Sequence, residues 1–182
     1  MPAAPVCKIG HPVLRQKCAS VPHKAFKEEA LKQFLDVMVD TMRKQNGVGL
    51  AANQIGLPIR AAVLENRTGA RYPSSDSFKL ERLLNLRIVQ YSKKTEEDWE
   101  GCLSIPGYRG LVARAKWVVY EAMDESGRKI KRKVSGFHAR VIQHETDHLN
   151  GFFYMDRMKD LNHWMHLNEF NRQLGLTVKE HD

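Results

Sequence analysis

The sequence predicts a single domain of mixed helices and strands, spanning residues 1–182 and built around one helix. Three observations carry that prediction. Apolar residues recur at helical spacing in three stretches, period-two alternation marks strands between them, and no linker or internal repeat divides the chain. With 182 residues, 42% of them hydrophobic and 27% charged, the chain has the length and balance of one ordinary globular core.

The elements follow in order. Pro12, Val13 and Leu14 are the first anchors of an extended N-terminal segment. From about Lys24 to Gln45, Phe26, Ala30, Leu31, Phe34, Leu35, Met38 and Met42 recur at threes and fours, an amphipathic helix that Asn46-Gly47 stops. Gly47 to Gly56 is a glycine-rich loop. It lacks the G-x-G-x-x-G spacing and follows a helix, so no nucleotide cofactor is expected. Its glycines instead let backbone approach a substrate closely. Ile59 to Glu65 reads as a strand, Asn66 to Lys79 as a polar loop with an Asn66-Arg67-Thr68 sequon, and Leu86 to Ser92 as a second strand. Trp117 to Met123 and Ile130 to Val134 flank the turn Asp124-Glu125-Ser126-Gly127, a hairpin. Ser135 is placed to cap the central helix. Phe152, Phe153 and Tyr154 close the core behind it, and a last helix runs from about Asp160 to Leu174, stopped by Gly175.

No apolar run approaches the ~18 residues of a membrane span, and Met1 to Val6 lacks the apolar core of a signal peptide. Cys7, Cys18 and Cys102 form no disulfide framework and suit a reducing compartment. The formal charge of +8 suits an anionic neighbour such as ribosomal RNA, and Lys129, Lys131, Arg132 and Lys133 gather on one hairpin arm.

The chemistry concentrates in His144-Glu145-Thr146-Asp147-His148. Histidines at i and i+4 share one helix face, and a carboxylate between them supplies a general base beside a metal ion. Phe137, Val141, His144 and His148 lie on one stripe, so the imidazoles face inward, where a cation offsets the cost of burying them. A catalytic site of this kind needs a third protein ligand. The H-E-x-x-H-x-x-G-x-x-H pattern fails, because Tyr154 stands where its last histidine belongs. Glu169 is one alternative, as in a metallopeptidase, although the polar face of its helix already accounts for it. Cys102, in a tight Gly-Cys-Leu-Ser turn, is favoured because a thiolate is a strong soft ligand. Gln54 is the one strong side-chain donor of the glycine-rich loop and suits an oxyanion.

Three stretches together closely resemble the peptide deformylase family: Gly47 to Gly56 (G-x-G-L-A-A-x-Q-x-G), Glu100 to Ser104 (E-G-C-L-S) and Gln143 to Gly151 (Q-H-E-x-D-H-L-x-G). The resemblance runs from about Ile9 to Asp156. It implies an α+β fold with antiparallel sheets around the central helix, flanked by an N-terminal and a C-terminal helix. It also implies removal of the formyl group from the N-terminal methionine of new polypeptides. Cys102, His144 and His148 would hold one divalent ion, Fe²⁺ or Zn²⁺, with Co²⁺ or Ni²⁺ able to substitute, and a water in the fourth place. Glu145 would be base and then acid, and Gln54 with the Leu103 backbone N–H the oxyanion hole. Gly47, Val48, Gly49, Glu100 and Val141 are expected around the substrate, Glu100 paired with Arg109. Ala139-Arg140-Val141-Ile142 and Asn162 to Met165 resemble the organellar type 1 branch, which implies the mitochondrial matrix, with the bacterial cytoplasm as the alternative. Phe137, in place of a tryptophan, and Leu103 depart from that branch. A metal-binding, ribosome-associated module without activity is the reading from a different class; Gln54 and Glu145 speak against it.

Overall fold

The computed structural model describes residues 3–67 and 76–175. It contains the strands β1 (Gly49–Ala51), β2 (Ala61–Asn66), β3 (Phe78–Tyr91), β4 (Thr95–Cys102), β5 (Ile105–Ala115), β6 (Trp117–Met123), β7 (Lys129–Ser135) and β8 (Trp164–His166). The α-helices are α1 (Glu29–Lys44), α2 (Gly136–Leu149) and α3 (Leu167–Gln173). A five-stranded sheet runs β1-β2-β3-β6-β7 and a three-stranded sheet runs β4-β5-β8, every pairing antiparallel. The fold is therefore α+β, with α2 packed on β1, β3 and β7 of one sheet and on β5 of the other.

Strand β2 explains why the larger sheet has two cores. Ala61 and Val63 face α1, with Leu35, Met38, Val39 and Met42; Ala62 and Leu64 face α2, with Ala139, Ile142 and Leu149. Successive side chains of a strand point to opposite faces, so a strand covered on both sides reads as an unbroken apolar run. A third core joins Val13 and Leu14 to Val112, Phe153 and Tyr154 on the smaller sheet. Phe152, expected in the core with them, is 41% exposed, its ring under the Arg157 guanidinium at 4.6 Å.

Several boundaries differ from the sequence expectation. Helix α1 begins at Glu29, because His23–Lys27 after Pro22 forms a 3-10 turn. It stops at the expected Asn46-Gly47 pair, where Asn46, at φ 52°, takes the left-handed conformation. Strand β3 starts at Phe78, inside the stretch read as a loop, whose residues 68–75 lie outside the described residues. Charges break the apolar alternation of its first half, and Asn85, at φ 54°, bulges the strand to exchange hydrogen bonds with the Val21 backbone at 2.8 and 3.0 Å. Strands β4 and β5 escaped the sequence reading. The last helix is only Leu167–Gln173, because Trp164–His166 pairs with Tyr108–Gly110 and Trp164 stacks on Tyr108 at 4.4 Å. Ser135 occupies the N-cap position of α2 but makes no side-chain capping bond. The hairpin stands as expected, with Gly127 at φ 80° donating to the Asp124 carbonyl at 2.9 Å. On its second arm, Lys131 and Arg132 face Glu121 and Glu81, and Lys133 lies over Trp117. Among the described residues no helix is long and apolar enough to cross a membrane.

Candidate metal centre and catalytic cleft

Helix α2 carries two imidazoles into the space between the sheets, and β4 brings the thiol to meet them. The His144 and His148 rings sit 4.9 Å apart, as i and i+4 positions must. Cys102 ends β4 at a tight turn where it pairs with Ile105, and its Sγ lies 3.1 Å from His148 Nε2. The donor atoms of Cys102, His144 and His148 all fall within 4.8 Å of one another. His144 Nδ1 contacts Glu100 Oε2 at 2.9 Å, which leaves Nε2 for an ion. Burial alone would raise the Cys102 thiol; His148 and His144 beside it outweigh this and hold it well below its ordinary range, favouring thiolate. A thiolate and two imidazoles are the donors a borderline-soft divalent cation takes.

Glu145 is 3% exposed, and burial pushes its carboxyl up to about 7 against the pull of His144 and His148. Its Oε2 has no hydrogen-bond partner among the described residues. A buried carboxylate with a free oxygen beside three converging donors fits a cation at that place.

One narrow cleft unites the residues singled out by sequence. Cys102, His144 and Glu145 line it, with Gln54 and Glu100 beside them. Gly47, Val48, Gly49, Leu103 and Val141 form its less polar walls, and fully buried His148 lies behind. Gln54 accepts from the Ala51 N–H at 2.9 Å and turns its Nε2 toward Ser104 Oγ at 3.1 Å and Cys102 Sγ at 3.5 Å. Packing also requires two of the glycines around the cleft. A Cβ on Gly49 would land on the Glu145 carboxylate, and one on Gly101 on the Arg109 guanidinium. Glu169 is exposed and pairs with Arg172 on α3, outside the donor cluster.

The expected Glu100–Arg109 pair is not what holds Glu100. Its Oε1 accepts from Arg114 Nε at 2.9 Å and Arg140 Nη1 at 2.8 Å, its Oε2 from Arg114 Nη2 at 3.0 Å. Arg109 Nη1 instead donates to the Tyr108 carbonyl at 3.1 Å. Strand parity is the reason: Gly110, Val112 and Arg114 are the buried face of β5, and Arg109 belongs to the other. Arg114 also reaches Asp147, which Arg157 holds at 2.7 Å. Arg114, Arg140, Phe137 and Trp99 were missed as site residues; recognising β5 as a strand would have exposed Arg114. Removing one partner of a buried charge network leaves the others uncompensated, so Arg114→Ala is expected to cost about 3–5 kcal/mol. Urea unfolding midpoints measure this; an unchanged midpoint would show that the network is not structural.

An antiparallel α+β fold with a Cys-His-His donor set and an adjacent buried carboxylate defines a metal-dependent hydrolase. The profile described as polypeptide deformylase matches residues 3–164. A peptide deformylase from Nitrosomonas europaea is 45% identical over 157 residues, covering 86% of this chain and 88% of that protein. One from Pseudomonas putida is 41% identical, covering 85% and 87%. The class I type b peptide deformylase of Acinetobacter baumannii, solved with Met-Ala-Ser bound, superposes with a TM-score of 0.84 at 34% identity, covering 86% of this chain and 99% of that one. The chain belongs to the polypeptide deformylase family, metalloenzymes of the amidohydrolase type that remove the N-terminal formyl group. These relatives are bacterial and give the organellar reading no support. Four of the residues that reading rested on, Ala139, Arg140, Val141 and Ile142, are buried in α2.

Proposed function

We propose that this deformylase hydrolyses N-formyl-methionyl peptides in a bacterial cytoplasm, with Cys102, His144 and His148 holding Fe²⁺ or Zn²⁺. The convergence of those three donors within 4.8 Å, with Glu145 in the same cleft, carries the reading. Bound there, a divalent ion supplies Lewis acidity toward a carbonyl oxygen and a hydrolytic water. Glu145 takes the proton of that water on its carboxylate and delivers it to the departing α-nitrogen as the formyl C–N bond breaks. The water oxygen ends in formate. Gln54 Nε2 and the Leu103 backbone N–H donate to the carbonyl oxygen as charge builds on it, an interaction whose loss typically costs ~10²–10³ in rate. Glu100 fixes the His144 ring through Nδ1. Gly47 and Gly49 bring backbone to the peptide, and Val48, Phe137 and Val141 receive the methionine side chain.

Formate release from formyl-Met-Ala-Ser by Fe²⁺- or Co²⁺-loaded protein is the test. Turnover is expected with either ion, and no formate above background with both would overturn the reading.

A further inference from the structure

The two donors assigned to the carbonyl oxygen stand on different sheets. Gln54 lies in the 3-10 turn Ala52–Ile55 that follows β1 of the five-stranded sheet, and Leu103 in the turn between β4 and β5 of the three-stranded one. Such donors help an oxyanion only while both are held in place together, and a misplacement of about 1 Å can cost about 10²-fold in rate.

The N-terminal segment ties the two elements to each other. The Cys7 N–H donates to the Gln54 carbonyl at 2.8 Å, and the Ile9 N–H to the Ser104 carbonyl at 2.9 Å. Between them, the Lys8 ammonium donates to the Leu103 carbonyl at 2.9 Å. Farther back, the Ala4 N–H donates to Thr41 Oγ1 on α1 at 2.8 Å, and Cys7 packs against the core that contains Cys102. Ser104 gathers these contacts. It is fully buried, its hydroxyl accepts from Gln54 Nε2 at 3.1 Å, and its N–H donates to Cys102 Sγ at 3.4 Å. The carbonyl that Lys8 holds and the N–H that meets the sulfur belong to one peptide unit. A cation on that carbonyl polarises the amide and strengthens its N–H as a donor. One exposed lysine thus bears on the thiol and on the setting of both oxyanion donors.

We propose that Lys8 is a positioning residue for deformylation: its ammonium, on the Leu103 carbonyl, holds the Cys102–Ser104 turn in line with Gln54. The proposal rests on the deformylase reading above, in which Gln54 and the Leu103 N–H receive the developing charge. Lys8 itself acts through the turn and not on the substrate. A loosened turn weakens the transition state more than the bound peptide, so its loss falls on kcat.

The experiment measures kcat, KM and metal content with formyl-Met-Ala-Ser for Co²⁺-loaded wild type, Lys8→Met, Lys8→Arg, Gln54→Ala and the Lys8→Met, Gln54→Ala double variant. Lys8→Met keeps the apolar stem and removes the donor. Its kcat is expected to fall about threefold to tenfold, the lower range for a hydrogen bond to a charged group. KM, metal content and the urea unfolding midpoint are expected to stay at wild-type values, and Lys8→Arg is expected to restore most of the lost kcat. In the Gln54→Ala background the same Lys8→Met change is expected to cost less than about twofold, because the alignment it serves has lost one member. A merely structural role would shift the midpoint and lower kcat by the same factor in both backgrounds. That result, a loss carried by KM, a loss that Lys8→Arg does not recover, or wild-type kcat in Lys8→Met overturns the proposal while the deformylase reading stands. No formate from wild type would overturn that reading and this inference with it.

Discussion

Replacing Glu145 by glutamine is expected to lower kcat for formyl-peptide hydrolysis by about 10²–10⁴-fold, the usual contribution of a positioned base. The amide keeps the shape of the side chain and cannot accept the proton. Metal content is expected to stay at the wild-type level, because the proposed donors are Cys102, His144 and His148, which converge without Glu145. KM should change little, since the lost interaction belongs to the transition state and not to substrate binding. The substitution is also gentle on the fold. Glu145 is almost fully buried, and its carboxyl is held near 7 by burial, so a neutral side chain is no harder to accommodate. Steady-state formate assays beside metal analysis of the same preparation separate the two effects. A glutamine variant with wild-type turnover would remove Glu145 from the chemistry.

The second large effect is expected at Cys102. Cys102→Ser replaces a soft thiolate by a hydroxyl that stays protonated at neutral pH. Outer partners of metal ligands already control affinity by about 10–100-fold, and loss of a direct ligand should exceed that. Purified Cys102→Ser is expected to carry little metal and to release no formate above background. Far-UV circular dichroism should remain that of the wild type, because the thiol sits at a strand end and fills little of the core. Glu169→Ala is the natural control. Its carboxylate is exposed and paired with Arg172, so metal and activity should persist. Metal retained by Cys102→Ser and lost by Glu169→Ala would reverse the ligand assignment.

The sequence disclosed the chemistry more readily than the scaffold. His144 and His148 could be placed on one face because helical spacing is a local property, and the turn at Cys102 is equally local. Strands β4 and β5 could not be placed that way. On their inner face Glu100, Arg114 and the backbone of Gly110 interrupt the apolar residues Cys102 and Val112, so period-two hydrophobicity is broken where the fold is most ionic. The wrong partner for Glu100 follows from that gap, since choosing between Arg109 and Arg114 requires knowing which faces inward. The last helix failed for a related reason. Trp164 and Met165 fit a helical stripe as well as a strand edge, and only pairing with Tyr108–Gly110 decides between them. Propensity is a weak prior against such pairing. In the glycine-rich loop, the need for glycine at 49 comes from the Glu145 carboxylate, a neighbour far along the chain that no local pattern reveals.

The division of the donor set between two sheets has a consequence for breathing motions. Cys102 belongs to the three-stranded sheet, whereas His144 and His148 ride on a helix packed mainly on the five-stranded one. An ion gripping both sides closes a seam, and its binding energy favours only the states in which that seam is shut. Openings that part the sheets become rarer as occupancy rises, and fraying inside the larger sheet is unaffected. Metal content is thereby written into amide exchange along β4 and β5, and hardly at all into that of β2 and β6.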